Sequence, residues 1–162
     1  MKTLLMMRHA KSSWDSGVES DHARPLNKRG RRDAPVMAQL LCSSDMVPDL
    51  IVCSDAKRTC ETLELMQPVF DKFGTEPTIE IGESFYHAPA SEWLEKLVEL
   101  SDDFSSAMFL GHNPGAEELI MHFTGAYHSM PTAAIACFEF DTESWSSCEE
   151  PRLVDVWRPK EI

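Results

Sequence analysis

The strongest constraint on the fold is a recurring pattern: a short apolar run stops abruptly at polar residues and is followed by a stretch of helical period. Leu4-Leu5-Met6-Met7 stops at Arg8-His9, Leu50-Ile51-Val52-Cys53 at Ser54-Asp55, and Ala107-Met108-Phe109-Leu110 at Gly111-His112. Thr78-Ile79-Glu80-Ile81 is a shorter run of the same kind. Apolar runs of this length, bounded by turn residues, read as buried strands. The intervening segments carry Ala34, Met37, Leu40 and Leu41, then Thr59, Leu63, Met66 and Phe70. Trp93, Leu94, Leu97, Val98 and Leu100 come next, and finally Leu119, Ile120 and Phe123, all at helical spacing. Such alternation predicts a three-layer α/β/α sandwich around a mostly parallel sheet. Only a polar turn separates the β-rich segments 133–140 and 152–157, so one antiparallel strand is expected.

Local signals predict the boundaries. Pro25-Leu26-Asn27 introduces the first helix, with Pro35 marking a first turn or a kink. Ser54 or Asp55 is suited to cap the second helix. Asn113 is suited to cap the last one, with Pro114 at its first position and Gly125 at its stop. The polar stretch from Lys11 to Arg24 reads as a long loop, with Trp14 as a lid packed on the domain. Lys28, Arg29, Arg31 and Arg32 read as a solvated basic face.

With 162 residues, 43% of them hydrophobic, the chain is expected to form a single domain over residues 1–162. A net charge of −12 argues against binding nucleic acid or anionic membrane by bulk electrostatics. Five cysteines form no C-x-x-C pair, which points to free thiols, with Cys53 and Cys60 serving packing rather than redox chemistry. No run has the length of a membrane span or of a secretory signal, so a cytoplasmic location is expected.

Three strand ends carry the chemistry: Arg8-His9, Arg58 just beyond the second strand, and His112. Right-handed crossovers keep the carboxyl ends of parallel strands on one edge, where ligands of open α/β sheets bind. Arg58 lies in a first helical turn, against the preference of the helix dipole, which invites a functional explanation. Paired guanidiniums suit phosphoryl oxygens, and two imidazoles offer a nucleophile and a hydrogen-bond donor. A metal set of His9, His112 and Glu83 is the competing reading. Two arginine charges would repel a divalent cation and attract an oxyanion, so neither metal nor cofactor is expected.

These segments resemble the histidine phosphatase superfamily, of the phosphoglycerate-mutase-like fold. Arg8-His9-Ala10 is similar to its Arg-His-Gly signature, and Leu26-Asn27-Lys28-Arg29-Gly30 through Ala34 to its Leu-Thr-x-x-Gly-x-x-x-Ala segment. Ser54, Arg58, Thr59 and Thr62 resemble its second-arginine helix, and Gly111-His112-Asn113-Pro114 its second-histidine turn. The short chain and Ala10-Lys11-Ser12-Ser13-Trp14 look most like the SixA-type phosphohistidine phosphatase branch. The resemblance implies that His9 is the nucleophile, that Arg8 and Arg58 bind the phosphoryl group, and that His112 donates to it. The implied substrate is a phosphohistidine-bearing protein, and the expected state is a monomer.

Two departures matter. Ala10 replaces a glycine, and Asn113 stands where another branch carries an acid. Glu83 lies near the place of the acidic residue of mutase-like members and is the sequence's candidate acid. A small-molecule phosphomonoesterase, a mutase-like enzyme and a non-catalytic phosphate-binding module are the alternatives.

Overall fold

The computed structural model describes residues 1–15 and 17–162. Its strands are β1 (Lys2–Arg8), β2 (Leu50–Ser54), β3 (Thr78–Gly82), β4 (Ser106–Gly111), β5 (Ile135–Phe140) and β6 (Arg152–Trp157). They form one sheet in the order β3-β2-β4-β1-β5-β6. β1 to β4 are mutually parallel, whereas β5 runs antiparallel to both β1 and β6. The single reversed strand is thus β5.

The helices are α1 (Lys28–Ser43), α2 (Lys57–Phe73), α3 (Ala90–Glu99) and α4 (Gly115–Thr124). Period-two alternation in the strands feeds two cores. Leu5, Met7, Ile51, Cys53, Met108 and Leu110 face α1 and α2, meeting Met37, Leu41, Leu63, Met66 and Phe70. Leu4, Met6, Val52, Ala107 and Phe109 face α3 and α4, meeting Trp93, Leu97, Leu119 and Ile120. Each such leucine or methionine, fully buried, contributes about 1.5–3 kcal/mol. The two apolar layers explain why the strands are apolar on consecutive residues rather than on alternate ones.

Several boundaries differ from the sequence reading, each for a local reason. Pro35 lies inside α1 rather than in its first turn, because Asn27 starts the helix two turns earlier by accepting the Gly30 N–H on its side chain at 2.9 Å. A Cβ on Gly30 would lie 2.1 Å from the Lys11 carbonyl oxygen, so this glycine lets α1 approach the loop leaving His9. Ser54 belongs to β2 and Ala56 occupies the cap of α2, with no side-chain cap. Asn113 does not cap α4: its amide donates to the Met130 carbonyl at 2.9 Å and Pro114 holds the cap position. Gly125 does end α4, in the left-handed conformation that glycine adopts without strain. Trp14 is not a packed lid; its side chain is exposed and lies on the Arg24 guanidinium, 3.3 Å from Cζ to ring centroid. No helix of the described residues is long and apolar enough to cross a membrane.

Candidate active site

β1 and β4 are neighbours at the centre of the sheet, with Arg8 in register with Gly111. Their carboxyl ends therefore deliver His9 and His112 side by side, the ring centroids 5.2 Å apart. The backbone at this point is held by the His9 N–H on the Gly111 carbonyl at 3.0 Å. The Ala10 N–H donates to Thr62 Oγ1 at 3.0 Å, and Thr62 in turn donates to the Arg58 carbonyl at 2.7 Å. One hydroxyl of α2 thus couples the end of β1 to the helix that carries Arg58. Ala10 itself is buried and has no positive φ, so the replaced glycine leaves no strain.

His9 is buried, and its Nδ1–H donates to the Ala10 carbonyl at 2.7 Å. This tautomer leaves the lone pair on Nε2. Burial, opposed in part by the bond to Ala10 and reinforced by Arg58, Arg8 and Arg24, lowers the His9 pKa to about 3. The ring is therefore neutral and nucleophilic at ordinary pH. His112 is pushed down to about 2, chiefly by burial and then by His9 and Arg58. Ser54 Oγ accepts the Ala56 N–H at 3.2 Å and lies 2.8 Å from His112 Nε2, to which it can give its own hydrogen. With Ser54 as the donor, the hydrogen of neutral His112 sits on Nδ1, a buried atom with no hydrogen-bond partner among the described residues. Arg8 Nε is buried and unpartnered in the same way. Such donors suit an acceptor-rich oxyanion.

Arg8, His9, Arg58 and His112 line one pocket of about 180 Å³, ample for a phosphoryl group. Glu83 does not line it. This carboxylate is exposed at the start of a short 3₁₀ helix, Glu83–Phe85, beyond the end of edge strand β3, so the two-histidine, one-carboxylate metal set is not brought together. The basic residues of α1 are exposed, apart from the half-buried Arg29, which reaches Thr132 Oγ1 on the pocket wall at 3.2 Å.

Residues that sequence reasoning missed complete the wall. Asp21, from the long polar loop, is gripped from several sides. Its Oδ2 accepts from Arg58 Nη2 at 3.0 Å, Tyr86 Oη at 2.5 Å and His87 Nε2 at 3.0 Å, and its Oδ1 from Arg24 Nη1 at 2.8 Å. The Tyr86 hydroxyl above all, with help from Arg24, His87 and Arg58, holds the Asp21 carboxyl well below the usual range. Arg24 is buried and also donates to the Ser12 hydroxyl at 2.6 Å and the Ser13 carbonyl at 3.0 Å. The only sequence signal for these residues is charge inside an otherwise small, polar loop.

A match to the family model of the histidine phosphatase superfamily (branch 1) covers residues 4–82, which hold Arg8, His9 and Arg58. The chain belongs to this superfamily. It is 38% identical over 151 residues to an uncharacterised chloroplastic protein of Arabidopsis thaliana, covering 89% of this chain and 69% of that protein. Among solved structures, a candidate phosphohistidine phosphatase SixA from Agrobacterium tumefaciens superposes with a TM-score of 0.84 at 26% identity, over 98% of both chains. A protein histidine phosphatase SixA complexed with tungstate shares the fold with a TM-score of 0.82 at 21% identity, again over 98% of each chain. In this histidine phosphatase fold the two arginines and two histidines gather at the carboxyl edge of the central strands.

Proposed function

We propose that this histidine phosphatase superfamily member is a metal-independent phosphohydrolase acting on phosphohistidine in proteins, through a phosphohistidine formed on His9. The carrying observation is the setting of His9: buried, with Nδ1–H tied to a carbonyl and Nε2 left for the pocket beside Arg8 and Arg58. A phosphate-binding module has no need of such a nucleophile. Similarity to SixA proteins, one of them holding the tetrahedral oxyanion tungstate, supports the same reading.

The chemistry is built from these groups. His9 Nε2 attacks phosphorus in line; the N–P bond forms as the bond to the leaving imidazole breaks. A phosphohistidine protonated on its remote nitrogen leaves as neutral imidazole. Arg8 and Arg58 hold the equatorial oxygens, and His112 Nδ1–H strengthens its bond as charge shifts in the transition state. Water then attacks phosphorus, His9 leaves with its Nδ1 hydrogen, and both water protons depart in dihydrogen phosphate. The small, open pocket accommodates a phosphoryl group carried on a protein surface. Free cysteines fit a reducing compartment such as the cytoplasm.

A panel of a phosphohistidine protein, sugar phosphates and aryl phosphates at matched concentrations tests the assignment. The phosphohistidine protein is expected to give the highest kcat/KM, and quenched enzyme is expected to carry acid-labile phosphate on His9. Preference for a sugar phosphate would replace the protein substrate with a small molecule. Binding without phosphate release would replace the enzyme with a recognition module.

A further inference from the structure

A nucleophile at the floor of a pocket expels its leaving group toward the opening, because in-line displacement puts the two on opposite sides of phosphorus. His9 is buried at that floor. On the solvent side of the same pocket stands His87, its side chain 49% exposed and its ring centroid 4.9 Å from that of His112. Its Nε2–H donates to Asp21 Oδ2 at 3.0 Å, and its ring lies against Tyr86 at 4.2 Å between centroids. These contacts orient the ring and leave Nδ1 as the atom open to exchange. His87 has φ +52°, in the left-handed region, which histidine enters more readily than most residues with a Cβ.

The other polar groups nearby are poor proton donors. Arginines keep their protons, and lysine, present on the pocket wall as Lys11, is by type a much weaker acid than imidazolium. The Asn113 amide has none to transfer, and neutral His112 offers a hydrogen bond but not a cation's proton. The Tyr86 hydroxyl is committed to Asp21, and Glu83 stands outside the pocket. Imidazole is the side chain suited to hold and release a proton near neutrality.

We propose that His87, held by Asp21, is a general acid–base catalyst that extends this site to phosphate monoesters with basic leaving groups. The proposal rests on the phosphohydrolase reading above. As His9 Nε2 bonds to phosphorus, the ester P–O bond breaks and the departing oxygen takes the proton from His87 Nδ1–H, leaving as neutral alcohol. In the second step the now neutral Nδ1 accepts a proton from the attacking water, so hydrogen phosphate departs and His87 is restored. Asp21 is a positioning residue: it fixes the ring without touching substrate. Phosphohistidine needs no such acid, so the same pocket serves both substrate classes with different dependence on His87.

The test uses His87→Gly, because glycine adopts the left-handed backbone at this exposed position without strain. Turnover is measured on glycerol phosphate, phenyl phosphate, p-nitrophenyl phosphate and phosphoimidazole. General acid catalysis is worth about a hundredfold to ten-thousandfold, so glycerol phosphate turnover should fall by that order. The loss should shrink steadily toward p-nitrophenyl phosphate and phosphoimidazole, and added imidazole should restore glycerol phosphate turnover. Asp21→Asn should reproduce the steepened leaving-group dependence in weaker form. Equal loss on all substrates, or no rescue by imidazole, overturns the acid and makes His87 structural. A wild type that phosphorylates His9 yet never turns over glycerol phosphate refutes the acid alone. A wild type that forms no phosphoenzyme with any substrate overturns the phosphohydrolase reading as well.

Discussion

The central strands and the edge strand of this sheet treat their carboxyl ends differently. β1, β2 and β4 each pair on both sides and are almost wholly buried, whereas β3 pairs only with β2 and is mostly exposed. The residues at the ends of the central strands converge: Arg8 and His9 at β1, Arg58 beyond β2, His112 after β4. The residue just past β3 does not join them, and Glu83 stays in solvent. The same connection then returns, because Phe85 buries itself against Trp93, with ring centroids 4.7 Å apart, and sets Tyr86 and His87 over His112. Strand ends flanked by two neighbours place the phosphoryl-binding groups, and a loop anchored by one aromatic places the rim.

If the central edge is the reacting centre, the largest effect belongs to His9→Ala. Loss of a nucleophile of this kind typically costs about 10⁴–10⁶ in turnover. Wild-type rates in that variant, measured by phosphate release on any substrate, would break the contrast between floor and rim.

Arg58→Lys is the next test. Lysine keeps the charge but lacks the planar fork, and loss of one oxyanion donor is worth about 2–4 kcal/mol, roughly thirty- to a thousandfold in kcat/KM. Arg58 also donates through both Nη atoms to Asp21, so the variant should loosen the rim too. A rate within about twofold of wild type would argue against a bidentate role.

The buried histidines also separate centre from rim through stability. His9 and His112 have folded-state pKa values of about 3 and about 2, far below the unfolded value of 6.5. Below pH 6.5 the unfolded chain takes up protons that these rings refuse, so their full contribution is present above that pH and is lost as pH falls toward 3. At about pH 5 the loss is about 2 kcal/mol per histidine, from about 1.36 kcal/mol per pH unit. Urea unfolding at about pH 7 and about pH 5 should show this drop, and His112→Asn should remove about half of it. An unchanged unfolding midpoint between those pH values would mean that neither ring resists protonation more strongly in the folded than in the unfolded chain.

The smallest effect is expected at the edge strand. Glu83→Gln should change kcat/KM by less than about twofold on alkyl and phosphohistidine substrates alike, in line with an exposed surface substitution. A selective loss on alkyl phosphates would return the acid to Glu83 and remove it from His87.

The alternation of apolar runs and helical stripes was enough to determine the layered sheet, its reversed strand and the alignment of Arg8, His9, Arg58 and His112 along one edge. The layers follow from the period of the apolar residues, and each of those side chains is placed locally, since one within a few residues of a strand end moves with that strand. The tertiary structure alone decided the rest, because the pairings span the chain. Asp21 meets Arg58 across 37 positions and His87 across 66, and Ser54 turns from a helix cap into the partner of His112 58 positions away. A loop carboxylate or a hydroxyl at a strand end carries no periodic signal of its partner. Glu83 shows the converse: its place in sequence suggested the acid, but β3 closes the sheet on that side, and a residue beyond an edge strand faces water unless its loop is drawn back.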